Sequence, residues 1–156
     1  MKFNHLIEIN DRLMPLVDVL TRSQLWRGLL LRAEAPKLFV PHLDDCVISA
    51  REPYRFERLL RYGAIEIHDI VTLLPELQMV FTVPQQKDIA PSSLTVTIEE
   101  PQPEAFFVRF AYEDSVIVAS DSVDAYYDKF RHSAYQEADI DTIRLIRQMA
   151  QEGRFN

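Results

Sequence analysis

Glycine is scarce in this chain: Gly28, Gly63 and Gly153 are the only three in 156 residues. Phosphate-cradling loops need several glycines at fixed offsets, so neither a dinucleotide-binding nor a Walker-type loop can be built. The single cysteine, Cys46, excludes an internal disulfide. It has no activating base near it in sequence, so no thiol nucleophile is expected. Apolar stretches such as Leu29-Leu30-Leu31 are far too short to span a bilayer. The start, Met1-Lys2-Phe3-Asn4-His5, passes into alternation and not into the apolar run of a signal segment. A reducing, cytoplasmic setting is therefore expected. Concentrated basic charge is missing too. The net charge is −7, and Arg22, Arg27 and Arg32 are spread along one segment. That excludes a phosphate-backbone surface and makes an anionic membrane an unfavourable partner. His5, His42, His68 and His132 are scattered, and His42-Leu43-Asp44-Asp45-Cys46 matches no zinc spacing, so neither a metal nor a cofactor is expected.

What the chain has is apolar patterning. Hydrophobic residues make up 47% and charged residues 26%, enough for one core in one domain over 1–156. Residues 2–9 alternate, with Phe3, His5, Ile7 and Ile9 on one side, which predicts a strand. A connector over 10–20 carries apolar anchors at Leu13, Leu16, Val17 and Leu20. Thr21-Arg22-Ser23-Gln24 is a capping-box pattern, in which Thr21 caps and Gln24 returns the bond. The helix it opens runs over 22–35, buries Leu25, Trp26, Leu29 and Leu30, and stops at Pro36. A short helical turn over 36–41 is possible. Six strand-like runs follow, at 45–52, 54–62, 65–73, 77–83, 93–100 and 105–113. Their short separators carry turn residues and favour antiparallel hairpins.

The Gly63-Ala64 separator permits a register. A two-residue loop with glycine first suits a type II′ turn. It pairs Tyr62 with Ile65, Leu60 with Ile67, Arg58 with Asp69 and Phe56 with Val71 on one face. Arg61 with Glu66 and Leu59 with His68 take the other, wet face. The inner face is then apolar except for one cation opposite one anion, a segregation that a one-residue slip would destroy. Arg58–Asp69 is either a polar anchor in an apolar pocket or a structural pair that holds the register.

After a linker or strand extension over 113–120, residues 122–152 form one long helix. Asp121 or Ser122 caps it, Asp124 sits in its first turn, and Gly153 lies just past its end. At about 1.5 Å per residue it is roughly 45 Å long. Seven strands about 4.8 Å apart make a sheet roughly 30 Å wide, so a curved sheet can fold around it. Tyr127, Phe130, Ala134, Ala138 and Leu145 fall along one side, with Glu137 and Asp141 at its edge and Asp139 pointing to solvent. Glu137 and Asp141, four apart, are either a carboxylate pair at a cavity or a solvated edge paired with Arg144 or a sheet arginine. Phe56, Phe81, Phe106, Phe110, Tyr112, Tyr127 and Phe130, with Met79 and Trp26, are the apolar residues expected to enclose the interior or line a pocket in it.

The order strand, helix, six strands, long helix resembles the α+β helix-grip fold of START-like (SRPBCC) domains, which include the pathogenesis-related class 10 plant allergens of the birch-pollen type. More narrowly, Phe3-Asn4-His5-Leu6-Ile7-Glu8-Ile9-Asn10, Leu25-Trp26-Arg27-Gly28-Leu29, Leu31-Arg32-Ala33-Glu34 and Tyr135-Gln136-Glu137-Ala138-Asp139-Ile140-Asp141-Thr142 resemble the AtaL-like group of unknown function. The resemblance covers nearly the whole chain. It implies a seven-stranded curved antiparallel sheet gripping the last helix around a hydrophobic cavity, and no assigned catalytic residues. Plant members carry a glycine-rich loop between the second and third strands; here that place is Arg51-Glu52-Pro53-Tyr54, so nothing attributed to that loop carries over.

Three functions are therefore weighed. The first is binding of a small hydrophobic, aromatic or polycyclic metabolite by Arg58 and the aromatic residues above. The second is a cyclase, dehydratase or isomerase using Asp69, Glu137 or Asp141 as base and Arg58 as oxyanion partner; it needs one of these carboxylates to face empty space. The third is a protein-interaction module or homodimer, joined through outward apolar residues such as Leu59, Ile70 and Val80.

Overall fold

The computed structural model describes residues 1–11, 13, 19–115 and 123–156, the last helix with side chains from Tyr126 onward. The anchors Leu16 and Val17, most of the 113–120 linker, the Asp121 or Ser122 cap and the Asp124 side chain lie outside them.

Strand β1 (Lys2–Glu8) leads to helix α1 (Arg22–Glu34) and a 3-10 turn at Pro36–Leu38. Then come β2 (Asp45–Glu52), β3 (Arg55–Tyr62), β4 (Ile65–Leu74), β5 (Gln78–Val83), β6 (Ser92–Gln102), β7 (Ala105–Asp114) and helix α2 (Val123–Gln151). All seven strands form one antiparallel sheet in the order β1-β7-β6-β5-β4-β3-β2. Strands β2 to β7 are a meander, each paired to its chain neighbour. The one non-local pairing is β1 with β7, from Lys2 opposite Glu113 to Glu8 opposite Phe107. The chain must therefore travel from one sheet edge to the other between β1 and β2, and α1 lies on that path. The fold is the α+β helix grip expected from the order of elements.

The register of β3 and β4 is the one the Gly63-Ala64 turn dictates: Tyr62 with Ile65, Leu60 with Ile67, Arg58 with Asp69, Phe56 with Val71. Gly63 has φ +61° and Ala64 is not left-handed, as a type II′ turn requires. Irregularities at Ser49/Glu52 in β2, where Ala50 takes φ +50°, and at Glu99/Gln102 in β6 break the ladder, and such breaks bend strands.

Helix α1 begins where its capping box places it. Thr21 Oγ1 accepts from the Gln24 amide at 3.0 Å, and Gln24 Oε1 accepts from the Thr21 amide at 2.9 Å. Leu25, Trp26, Gly28, Leu29 and Ala33 are its buried face. Asn10 is a buried polar residue with a fastening role: its amide donates to Leu20 O and Glu104 O, and its oxygen accepts from the Leu20 amide. It pins the entry of α1 to the β6–β7 turn.

Helix α2 differs from expectation in its rotation. Its buried residues are Asp139, Thr142, Ile143, Ile146 and Met149. Tyr127 is 61% exposed and Phe130 58%, while Ala134, Ala138, Glu137 and Asp141 also face outward. The inward stripe is displaced by one residue, about 100° of helical rotation. Two apolar stripes compete on this helix. Ile143, Ile146 and Met149 dock against the deep core with Leu25 and Leu29, and they set the phase for the whole length. Gly153, at φ +79°, ends the helix; the next amide, of Arg154, donates to Met149 O.

Candidate functional site

Between the inner face of the sheet and the two helices lies a cavity of about 240 Å³. One wall is apolar: Leu29 from α1, Met79, Phe81 and Val83 from β5, Leu94 and Val96 from β6, and Phe110 from β7. Arg32, Arg58, Asp69, Tyr112, Tyr135, Asp139 and Thr142 also line it and are among its polar groups, with Ser92, Ser93, Glu113 and Asp114.

Arg58 and Asp69 are 5% and 3% exposed. Arg58 Nε donates to Asp69 Oδ1 at 2.9 Å and Nη2 to Asp69 Oδ2 at 2.6 Å, a two-bond fork across β3 and β4. Its Nη1 donates to Ala33 O at 3.0 Å, and the guanidinium lies 4.8 Å from the Phe81 ring centre. All three nitrogens are committed. The pair ties the C-terminal turn of α1 to the sheet, the role of a structural bridge, although both residues border the cavity.

A second cluster lies where β1, β7 and α2 meet. Asp139 Oδ2 accepts from the Tyr112 hydroxyl at 2.7 Å and lies 2.7 Å from His5 Nε2. His5 is on the inward side of β1, stacked 5.4 Å from Phe110; Tyr112 stacks on Tyr135 at 4.1 Å. Oδ1 has no hydrogen-bond partner among the described residues and is not fully sealed, and Asp139 is one of the residues that line the cavity. Burial pushes the Asp139 carboxyl above its ordinary value, against the pull of Tyr112 and His5. Burial, with Asp139 beside it, pushes the Tyr112 phenol far up as well.

This raised carboxyl gives stability a pH dependence. Folded Asp139 keeps its proton above the pH at which the unfolded chain releases it. Unfolding therefore releases a proton, and stability falls as pH rises through that window. Asp139→Asn removes the dependence. The variant is expected to gain stability relative to the native protein as pH is raised from about 4 towards neutrality, read by urea denaturation at a series of pH values. Parallel pH profiles would mean that Asp139 ionises normally.

Of the residues singled out in sequence, Arg58, Asp69, Met79, Phe81, Phe110 and Tyr112 come together around the cavity. Trp26, Phe56 and Phe106 are buried in the core away from its lining. Tyr127 and Phe130 lie outside on α2; Phe130 packs edge-to-face with Tyr126 at 4.8 Å. Glu137 is exposed, and Asp141 is exposed beside Arg144 at 3.4 Å, the solvated-edge arrangement. Asp139, expected in solvent, is the buried carboxyl of this helix. Its position could have been found by stepping back four residues from Ile143 and seven from Ile146. His68 is on the outer face of the sheet as expected, 2.8 Å from Glu57 Oε1. Leu59 is exposed there, while Ile70 and Val80 are half-buried. Burial holds the Cys46 thiol above its ordinary value. Among the described residues no group of His, Cys, Asp and Glu gathers as a metal site, and no helix is long and apolar enough to cross a membrane.

A long helix gripped by a seven-stranded antiparallel sheet, with a cavity between them, is the START-like helix-grip fold, and solved structures share it. The di-domain ARO/CYC StfQ from the steffimycin biosynthetic pathway aligns with a TM-score of 0.69 at 13% identity, over 98% of this chain and 52% of that one. The ZhuI aromatase/cyclase from Streptomyces sp. R1128 aligns with 0.64 at 9% identity, over 97% and 93%. The allergen-type protein Ara h 8.0201 aligns with 0.61 at 8% identity, over 94% and 97%. The chain spans about half the length of the di-domain proteins it resembles. At these identities the likeness is one of fold. No curated protein sequence is significantly similar to the chain. Residues 7–153 match the AtaL family, acetylaranotin biosynthesis cluster protein L, and the chain belongs to that family.

Proposed function

We propose that this protein, as a single START-like domain in the cytoplasm, binds a small apolar metabolite with an aromatic ring in the cavity between sheet and helices. The observation that carries this reading is the unfilled space: about 240 Å³ with an apolar wall and a few convergent polar groups. Ligand sites typically have this composition and run to about 300–1,000 Å³. The volume here fits one or two rings, a smaller guest than a large polycycle. The reading is tested by filling the space. Leu94→Trp projects an indole into the cavity from β6. It is expected to abolish binding of a fluorescent apolar dye while leaving the circular dichroism spectrum unchanged. Undiminished dye binding would sink the reading, as would failure of the native protein to bind the dye.

A second reading is favoured by one observation, the Asp139 cluster. Asp69 is fully paired, and Glu137 and Asp141 are outside, so none of these carboxylates can act as base in the cavity. Asp139 offers what that reading lacked: a buried carboxyl at the cavity lining, pushed by burial towards its protonated form. Such a group can donate a proton to a departing hydroxyl, which leaves as water, and the carboxylate it becomes can take the substrate's α-proton, which completes a dehydration and restores the acid. StfQ and ZhuI are named for aromatase/cyclase activity, and this analogy of fold supports the reading. Dehydration of an aryl β-hydroxy ketone, followed by absorbance of the enone, is expected in the native protein and lost in Asp139→Asn. Equal rates with and without the carboxyl would end this reading.

A further inference from the structure

One cavity residue has no role in either cluster. Arg32, on α1, lines the cavity between the Arg58–Asp69 pair and the Asp139 cluster. Among the described residues its guanidinium makes no hydrogen bond and no ion pair. The adjacent cation, Arg58, is neutralised by Asp69 and cannot serve it; the two arginines repel. Asp139 attracts it electrostatically from beyond ion-pair distance, and burial holds that carboxyl towards its uncharged form. The other acids at the cavity, Glu113 and Asp114, pair with Lys2 and with the Met1 amine and Arg131. Arg32 is thus a half-buried cation with no direct counter-ion among the described residues. A guanidinium stays charged in proteins, and a buried charge is costly without a counter-ion. No fully enclosed nitrogen lacks a partner, so the free N–H groups of this cavity-lining residue keep some access to solvent or ligand.

Resting on the binding reading above, we infer that the ligand is an acid: an apolar ring bearing a carboxylate or an equivalent planar anion, which Arg32 takes with two parallel N–H···O bonds. Guanidinium geometry matches a carboxylate fork in this way, and such bonds are shorter and stronger than neutral ones. The ring then lies along Leu29, Met79, Phe81, Val96 and Phe110. The acid supplies the negative charge that the protein itself withholds from Arg32. The hydrogen bonds of Asp139 go to Tyr112 and His5, and it lies beyond ion-pair distance of Arg32, so it leaves the guanidinium fork to the ligand.

Two probes of one shape separate charge from fit: 2-naphthoate and its neutral counterpart 2-naphthamide, each titrated into the full chain by calorimetry. The native protein is expected to bind the acid roughly tenfold or more tighter than the amide. Arg32→Gln is expected to weaken the acid to the level of the amide and leave the amide within about threefold. Arg32→Lys, which keeps the charge without the fork, is expected to fall between. Removing a half-buried cation that has no counter-ion should also raise the melting temperature of Arg32→Gln. Equal binding of acid and amide by the native protein, or equal loss of both in Arg32→Gln, overturns the acid ligand and leaves the cavity reading standing. Binding of neither probe by the native protein removes both. A lowered melting temperature in Arg32→Gln shows that the guanidinium has a structural partner and overturns the premise.

Discussion

Arg58→Met is expected to destabilise the protein by about 3–5 kcal/mol, because it strands Asp69 as a buried carboxylate and leaves Ala33 O without its donor. Folded domains are stable by only about 5–15 kcal/mol, so the loss removes a large part of the total. Urea denaturation reads it directly. The double change Arg58→Met with Asp69→Leu tests the cause. It fills the same place with apolar atoms, and replacing a whole buried pair is often neutral. The double variant is therefore expected to recover most of what the single one loses. A single variant within about 1 kcal/mol of the native protein would mean that Asp69 is not held as a charge, and the structural role of the bridge would fall.

Gly28→Ala carries the second large effect. At an exposed helical site this change gains about 1 kcal/mol. Here a Cβ built on Gly28 would sit 2.4 Å from Ile146 Cγ2 and 2.8 Å from Cγ1. Ile146 is fully buried, and it belongs to the stripe that sets the rotation of α2. The two helices must move apart or Ile146 must leave its rotamer, which costs about 1–3 kcal/mol and occasionally more. Set against that gain, the net expectation is a loss of about 1 kcal/mol or more, seen as a lowered melting temperature. The companion change Ile146→Ala should restore part of it in the Gly28→Ala background, although alone it is destabilising. A neutral or stabilising Gly28→Ala would show that α1 and α2 have room to adjust. Cavity size depends on this contact, since both helices wall the space.

Much of the sheet could be read from the chain because its determinants are local. The Gly63-Ala64 turn and the period-two pattern on either side leave one register that buries the apolar set, and that register brings Arg58 opposite Asp69. The capping box at Thr21 and Gln24 placed the start of α1 for the same reason: its bonds span three residues. The class of fold followed from the order of elements. The candidate site was legible only in part. Six of its residues sit on strands whose inward face alternation reveals. Arg32 and Asp139 sit on helices, and there the pattern was ambiguous. The aromatic residues Tyr127 and Phe130 pointed to one rotation of α2, and Ile143, Ile146 and Met149 to another.

The sequence by itself determined the elements, the pairing of β3 with β4 and the buried ion pair, since turns, caps and alternation act over a few residues. Only the tertiary structure decided the rotation of α2, because that rests on which stripe docks better against α1 and the core some hundred residues away. With that rotation came everything particular to the cavity. It brought Asp139 against Tyr112 and His5, turned Glu137 and Asp141 to solvent, and left Arg32 facing a space in which the described residues provide no counter-ion.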